Sequence, residues 1–451
     1  MALTTRTFRI DLYLEHLEEA AFLYEQCRAL RKQPNFEWRK LMDFEDRLEA
    51  HVDALIVGGA LALEICSRRS IEGEAGELFA AVCVFCRTQQ AQEFARCLQE
   101  LDKTEAPRRQ AIIDAMSREL PPAWSERVGD ALTQARPALL HAIAAVAGYR
   151  RLPVSARIVA APPTEDVQAT AAAARALGRL RDPAALPCLS GLARRPEPAI
   201  SAEVLVAMLA LGSSEALQAA YTLVGSDEWA RVPLAIAGGP SACNALTHAA
   251  ERTESARSAA MALGLLGDLR GVRPLVLLLD DKELAAHAAW SLYLITGAPL
   301  FGMQFVPDPV VEDELDEHEL HAWREHGQLP LRGDGRPFGT EQRLLSLDPN
   351  AWNAWLKKNA SRFRAGQRYR LGEAAAPVSM LKTLLEEQLP AELRQATADE
   401  LRIRYDCDLP FEVEMPVRQQ LRVLRGLSRW VEQHGSLFAP GRWYFAGHPV
   451  E

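Results

Sequence analysis

The residues that could do chemistry fall in short constellations scattered along the chain. Cys83-Val84-Phe85-Cys86 has the spacing of a zinc knuckle or a thiol–disulfide pair, and His318 and His321 would set two imidazoles on one helix face, with His326 nearby. A zinc site needs further fixed ligands, and no second CxxC and no HExxH supplies them. The cysteine pair also sits in an apolar helical pattern, where a free thiol packs as a small hydrophobe. Gly239-Pro240-Ser241-Ala242-Cys243 looks like a nucleophile elbow but breaks the G-x-S-x-G spacing and falls at a turn between helices. Gly333-Asp334-Gly335-Arg336-Pro337-Phe338-Gly339 is glycine-rich, yet no Lys-Ser/Thr follows it, so a loop is expected in place of a phosphate cradle. Arg362-Phe363-Arg364 and Arg368-Tyr369-Arg370 alternate cations with aromatics, as single-stranded nucleic-acid surfaces do. Two nearby tryptophans, Trp352 and Trp355, and a net charge of −9 favour packing instead. The expectation is a chain with no catalytic residues, no cofactor, no metal and no direct nucleic-acid partner.

What remains is charge. Residues 306–325 hold eight acids and one base, while the rest of the chain is close to balance. Asp308, Glu312, Asp313, Glu314, Asp316, Glu317 and Glu319 are therefore the candidate partner-binding residues. A patch of one sign steers encounter with a surface of the other. The bland alternative is a solvated linker.

The elements that would position these groups are read from a repeat. Ala174 to Leu189 and Ala260 to Leu275 each give an apolar helix, a Gly/Asp/Pro turn and a second apolar helix. Aligning Leu186, Leu217, Leu246 and Leu275 gives steps of 31, 29 and 29 residues. Two helices per period of about 30 residues define a stacked α-solenoid of HEAT-like type, with alanine at tight helix contacts and leucine between layers. The array spans 164–300, with Thr164 as the expected first N-cap. Before it, residues 1–155 read as an N-terminal helical domain, with a helix region over Glu74 to Glu100, and Pro153 to Pro163, with its adjacent Pro162-Pro163, reads as a linker. After it come an irregular acidic and Pro/Gly-rich connection, 301–347, and a C-terminal helical domain, 348–451, packed on the last repeat. The fold class is all-α.

At 451 residues, 48% hydrophobic and 25% charged, the chain is ordinary for a globular protein. No apolar leader stands near the N-terminus, and the apolar run near Val52 to Ile65 is too interrupted to span a bilayer. With eight cysteines mostly in apolar surroundings, a cytoplasmic location is expected.

Asp46-Arg47-Leu48-Glu49-Ala50-His51-Val52-Asp53-Ala54-Leu55, the Gly73-to-Ala81 segment, the Leu294-Ile295-Thr296-Gly297 repeat ending and the Gly366-to-Gly372 stretch together resemble a HEAT-repeat family of proteobacteria encoded beside type VI secretion effectors. The resemblance implies a non-enzymatic immunity protein that binds and neutralises a cognate cytosol-acting toxin of nuclease type. Its alternative is an adaptor or chaperone for such an effector. No family residue carries over to a position of this chain. An enzyme built on helical repeats would want a basic inner face or His-Glu pairs on the repeats; residues 165–305 are slightly acidic.

Overall fold

The computed structural model describes residues 5–33, 35–134, 136–161, 164–251 and 256–450; Pro162-Pro163 lies outside them, and the rest of the expected linker, from Pro153, holds a short helix, Ser155–Val159, anchored by buried Ile158. Among these residues are 23 α-helices and three short two-stranded ribbons. The chain is an all-α solenoid.

One row of helices forms its spine. Ala75–Arg87, Ala106–Glu119, Pro137–Arg150, Val167–Leu180, Pro198–Ala210, Arg231–Ala237, Ala256–Leu266 and Ala285–Thr296 each pack on the next. Their spacing is set by small residues. A Cβ on Gly178 would stand 2.6 Å from the Ala207 Cα, and one on Gly264 would stand 2.7 Å from the Ser291 Cα. Real Cβ contacts are not that short, so these helices touch backbone to backbone. A second row of shorter helices, including Leu186–Leu192, Ser214–Leu223, Ala242–Ala250 and Val272–Leu277, backs the first. Leu246 and Leu275 are fully buried between the rows, whereas Leu186 and Leu217 are half-buried. The turns follow local chemistry. Asp166, not Thr164, caps Val167–Leu180 by accepting from the Ala169 N–H at 2.8 Å. Thr164 instead accepts from the Asp166 N–H. Ser213 caps the helix after left-handed Gly212 (φ +75°).

The spine does not start at residue 164. Pro137–Arg150 packs on Val167–Leu180 as closely as the repeats pack on one another, and one apolar core runs from Tyr13 to Trp443. Pro137 opens its helix at the first position, where a missing N–H costs nothing. The Glu74-to-Glu100 region divides into Ala75–Arg87 and Ala91–Gln99, broken where Gln89 turns left-handed (φ 57°). Thr5–Lys32 lies across Leu41–Val57, Gly59–Glu72 and Ala75–Arg87 at the N-terminal end.

The region expected to be irregular starts and ends in a β-ribbon. Phe301–Pro307 pairs antiparallel with Gly339–Leu345, from Phe301↔Leu345 to Pro307↔Gly339. Between the strands sit a turn of 3-10 helix, Glu312–Glu314, and a helix, Glu317–His326. Within residues 302–344 only Gly339 is buried. This ribbon and its helix form an arm outside the core.

The C-terminal helices do not simply cap the last repeat. Ala391–Tyr405 packs along Pro198–Ala210, Arg231–Ala237 and Ala256–Leu266, and Val417–His434 reaches back to Leu41–Val57. The C-terminal region thus joins both ends of the stack. No single helix among the described residues is long and apolar enough to cross a membrane.

Candidate functional site

The seven acidic candidates all stand on the arm. Asp308, Glu312, Asp313, Glu314, Asp316 and Glu317 are exposed and Glu319 is half-exposed. Some have local work. Asp316 caps Glu317–His326 by accepting from the His318 and Glu319 N–H groups at 2.9 and 2.8 Å, and Glu319 returns the bond to the Asp316 N–H. Glu312 pairs with Arg324 at 2.5 Å. These bonds hold the turn of 3-10 helix and the helix in place without a core. The arm carries ten carboxylates and four arginines. Its apolar side chains also face solvent: Met303 is 64% exposed, and Phe305, Phe338, Leu331 and Val311 are exposed too.

The other constellations resolve into structure. Cys83 and Cys86 are free and buried in Ala75–Arg87. Burial pushes the Cys86 thiol up to about 12, with Glu119 adding to the effect, so neither a thiolate nor a metal ligand is favoured there. His318, His321 and His326 are exposed on the arm, and no cluster of three or more potential metal ligands occurs among the described residues. Gly239 and Ser241 sit in a turn fixed by the Tyr221 hydroxyl at 2.8 and 3.1 Å. The Gly333–Gly335 stretch is an exposed turn closed by Gly335 N–H to Arg332 O at 2.9 Å.

Arg368 and Arg370 are wholly buried and cannot meet a phosphate backbone. With Arg404 they surround Glu400, itself fully buried; Arg404 lies 3.1 Å from the carboxylate, and Arg368 and Arg370 also pair with it. Other guanidinium donors of the cluster reach helix ends, while Arg368 Nη1 and Arg370 Nε and Nη1 are buried without a hydrogen-bond partner. Arg404 donates to the carbonyls of Ala235 (2.7 Å) and Gly238 (2.9 Å), and Arg368 and Arg370 donate to Leu266 (2.9 Å) and Leu265 (2.7 Å). Those carbonyls are the orphan acceptors and negative dipole ends of two spine helices. Farther along the spine the polarity reverses. There Arg151, Arg179 and Arg181 stand at the helix ends, and the C-terminal segment supplies Glu412 and Asp406. Bare carbonyls meet arginines, and arginine-bearing ends meet carboxylates. The Tyr369–Leu371 backbone completes this seam by donating to Gly267 O at 2.8 Å and Leu294 O at 2.6 Å. It passes so close over left-handed Gly267 and Gly297 that a Cβ on either would strike a carbonyl oxygen, of Tyr369 and Leu371 respectively.

A cavity of about 670 Å³ lies where the first helices, the spine and the C-terminal helices meet. Tyr24 and Phe79 stack at 4.1 Å on one wall, and the Tyr24 hydroxyl donates to Asp114 at 2.7 Å. Arg31 pairs with Glu45 at 2.5 Å, and the other Glu45 oxygen accepts the Val417 N–H at 2.7 Å. Arg175 and Arg179 from the spine pair with Glu203 and Glu412. Arg394 is 1% exposed and lies 3.9 Å over the Trp38 ring. It donates to Leu384 O at 3.3 Å and to Gln420 Oε1 at 2.8 Å. None of the acidic candidates lines this cavity. Sequence reasoning passed over Arg394, Trp38 and Tyr149 because each looks like ordinary helix composition. Only the fold brings them together.

The family model for HEAT repeats matches residues 154–239. A search of curated proteins gives no match. The matched segment covers Val167–Leu180, Pro198–Ala210 and Arg231–Ala237 in the middle of the spine, so the chain is an α-solenoid carrying HEAT repeats, an architecture that commonly serves protein–protein interaction.

Proposed function

We propose that this chain is a non-enzymatic binding protein that uses its acidic arm to grip a basic partner, and that it acts as an immunity protein against a type VI secretion toxin of nuclease type. The observation that carries the reading is the arm itself. Residues 302–344 bury no side chain into the fold, yet they hold ten carboxylates beside exposed Met303 and Phe305. The spine offers less free surface, since Ala391–Tyr405 already packs on Pro198–Ala210, Arg231–Ala237 and Ala256–Leu266. A nuclease must present cations to hold phosphates, and an acidic arm with apolar side chains offers it both a mimic of that charge and a dry contact.

The test is co-expression with the toxin encoded beside this chain, using the full protein and a variant with residues 302–344 replaced by a two-glycine turn. Phe301 and Leu345 face each other in register, so a short turn can close the gap. The full chain protects cells and inhibits the toxin at one equivalent; the armless chain folds and does neither. Protection by the armless chain contradicts the docking role. A complex that leaves the toxin active points to a carrier role in its place.

A further inference from the structure

We propose that the cavity between the first helices, the spine and Ala391–Tyr405 binds a small organic anion, with its carboxylate or phosphate on Arg394 and a flat apolar body against Trp38. This inference is independent of the arm.

A volume of about 670 Å³ lies within the range of small-molecule sites, roughly 300–1,000 Å³. The lining charges are almost all answered by the protein. Arg31 meets Glu45, Arg175 meets Glu203 and Arg179 meets Glu412. Asp114 accepts from Tyr24 and from Gln110, and Asp399 pairs with Arg402. Arg28 and Arg118 share the carboxylates of Asp114 and Glu49. The acids without an ion pair, Glu392 and Glu414, are exposed, as is Lys32. Arg394 is different: it is buried, and its hydrogen bonds run to a carbonyl and an amide, with no carboxylate in reach. A buried guanidinium without an anion is costly, and the Trp38 face offsets only part of that. Burial, with the neighbouring Arg39 adding to it, pushes its pKa down to about 9.

The walls suit an organic body. Trp38 carries the guanidinium on one face of the site, and the stacked Tyr24 and Phe79 rings add apolar surface. Tyr149, on the spine, points a phenol toward the same space and makes no hydrogen bond to the described residues. A cation, a free hydroxyl and flat rings together select an oxyanion on a compact apolar or aromatic frame. Because Trp38 and Arg394 come from opposite ends of the chain, the ligand would also tie the N-terminal helices to the C-terminal ones.

The experiment is calorimetric titration of the full chain with phenyl phosphate and with benzoate, and with phenol as the neutral control, alongside thermal unfolding. At least one anion binds saturably and raises the melting temperature, as any ligand of the native state must, and phenol does not bind. Phosphate preference and carboxylate preference both support the site and tell which head group it takes. Arg394→Gln weakens the bound anion by about 10-fold or more, the loss of a charge-assisted hydrogen bond. If Arg394→Gln does not fold, Tyr149→Phe replaces it, with a several-fold loss expected on an intact fold. Phenol binding as well as the anions, no saturable anion binding, or unchanged affinity in the variant that folds overturns the proposal. Removal of the arm leaves the titration unchanged, so the two readings fail separately.

Discussion

Glu400 and Glu312 each pair with arginine, and each lies in a stretch where charge is dense. Glu400 and its guanidinium partners are fully buried in the seam, whereas Glu312 is 44% exposed and Arg324 61% exposed on the arm. Burial decides what each pair does. In the seam the pair replaces water for four charged groups, so each member depends on the others and removing one strands the rest. On the arm water screens the pair, and its worth to the fold is under about 1 kcal/mol. The seam's charges therefore hold the molecule together, and the arm's charges are free to meet something else.

The largest effects belong to the seam and the spine. Glu400→Gln leaves three buried guanidiniums without their anion and lowers stability by about 3–5 kcal/mol in urea denaturation. Leu275→Asp, which puts a carboxylate at a fully buried position between helix rows, costs a similar amount, about 3–5 kcal/mol. A loss under about 1 kcal/mol in either variant would remove the basis for calling these positions structural.

Next comes pH. Burial alone would raise the Glu400 carboxyl, but Arg370, Arg368 and Arg404 outweigh it and hold the group below its ordinary 4.5. A carboxyl depressed in the folded state contributes stability that is complete above its unfolded value and is lost as pH falls through the folded one. The stability gap between the wild type and Glu400→Gln should thus be constant from neutrality down to about pH 5 and narrow below about pH 4. A gap that widens in acid contradicts the assignment.

Smaller again for the fold, though not for binding, is the arm. Changing Glu312, Asp313, Glu314 and Glu317 to Gln and Asp316 to Asn should leave the unfolding midpoint nearly unmoved, because Asn still caps the helix. Association with the basic partner should slow by about 10-fold at low salt and lose most of its salt dependence. Wild-type rates in stopped flow at both low and high salt would make the run a solvated linker. The smallest effect is chemical. Cys83 and Cys86 should resist alkylation at pH 8 in the native protein, and half-buried Cys188 should react first.

The repeat was legible because its signal is local: small and apolar residues recurring at helical spacing need only themselves to be read. The acidic run was legible for the same reason. The start of the spine was not, because the helices before residue 164 carry the same stacking without the regular period. The arm's strands were hidden by Pro307, Pro309 and the glycines, which read as irregular, while Phe301–Pro307 takes its pairing from residues beyond position 338. The seam was the least legible part. Arg368-Tyr369-Arg370 has the same composition whether it faces a nucleic acid or the end of a helix. What settles its role is Glu400 and the carbonyls of Leu265 and Leu266, which lie far away in sequence.

Hydrogen exchange of the intact chain, followed by mass spectrometry, tests most directly the claim that the seam carries the fold and the arm does not. Amides of Ala391–Tyr405 should exchange only through global unfolding, and those of Glu317–His326 should exchange orders of magnitude faster through local opening. Equal protection in the two helices, or seam amides that open at the arm's rate, would contradict it.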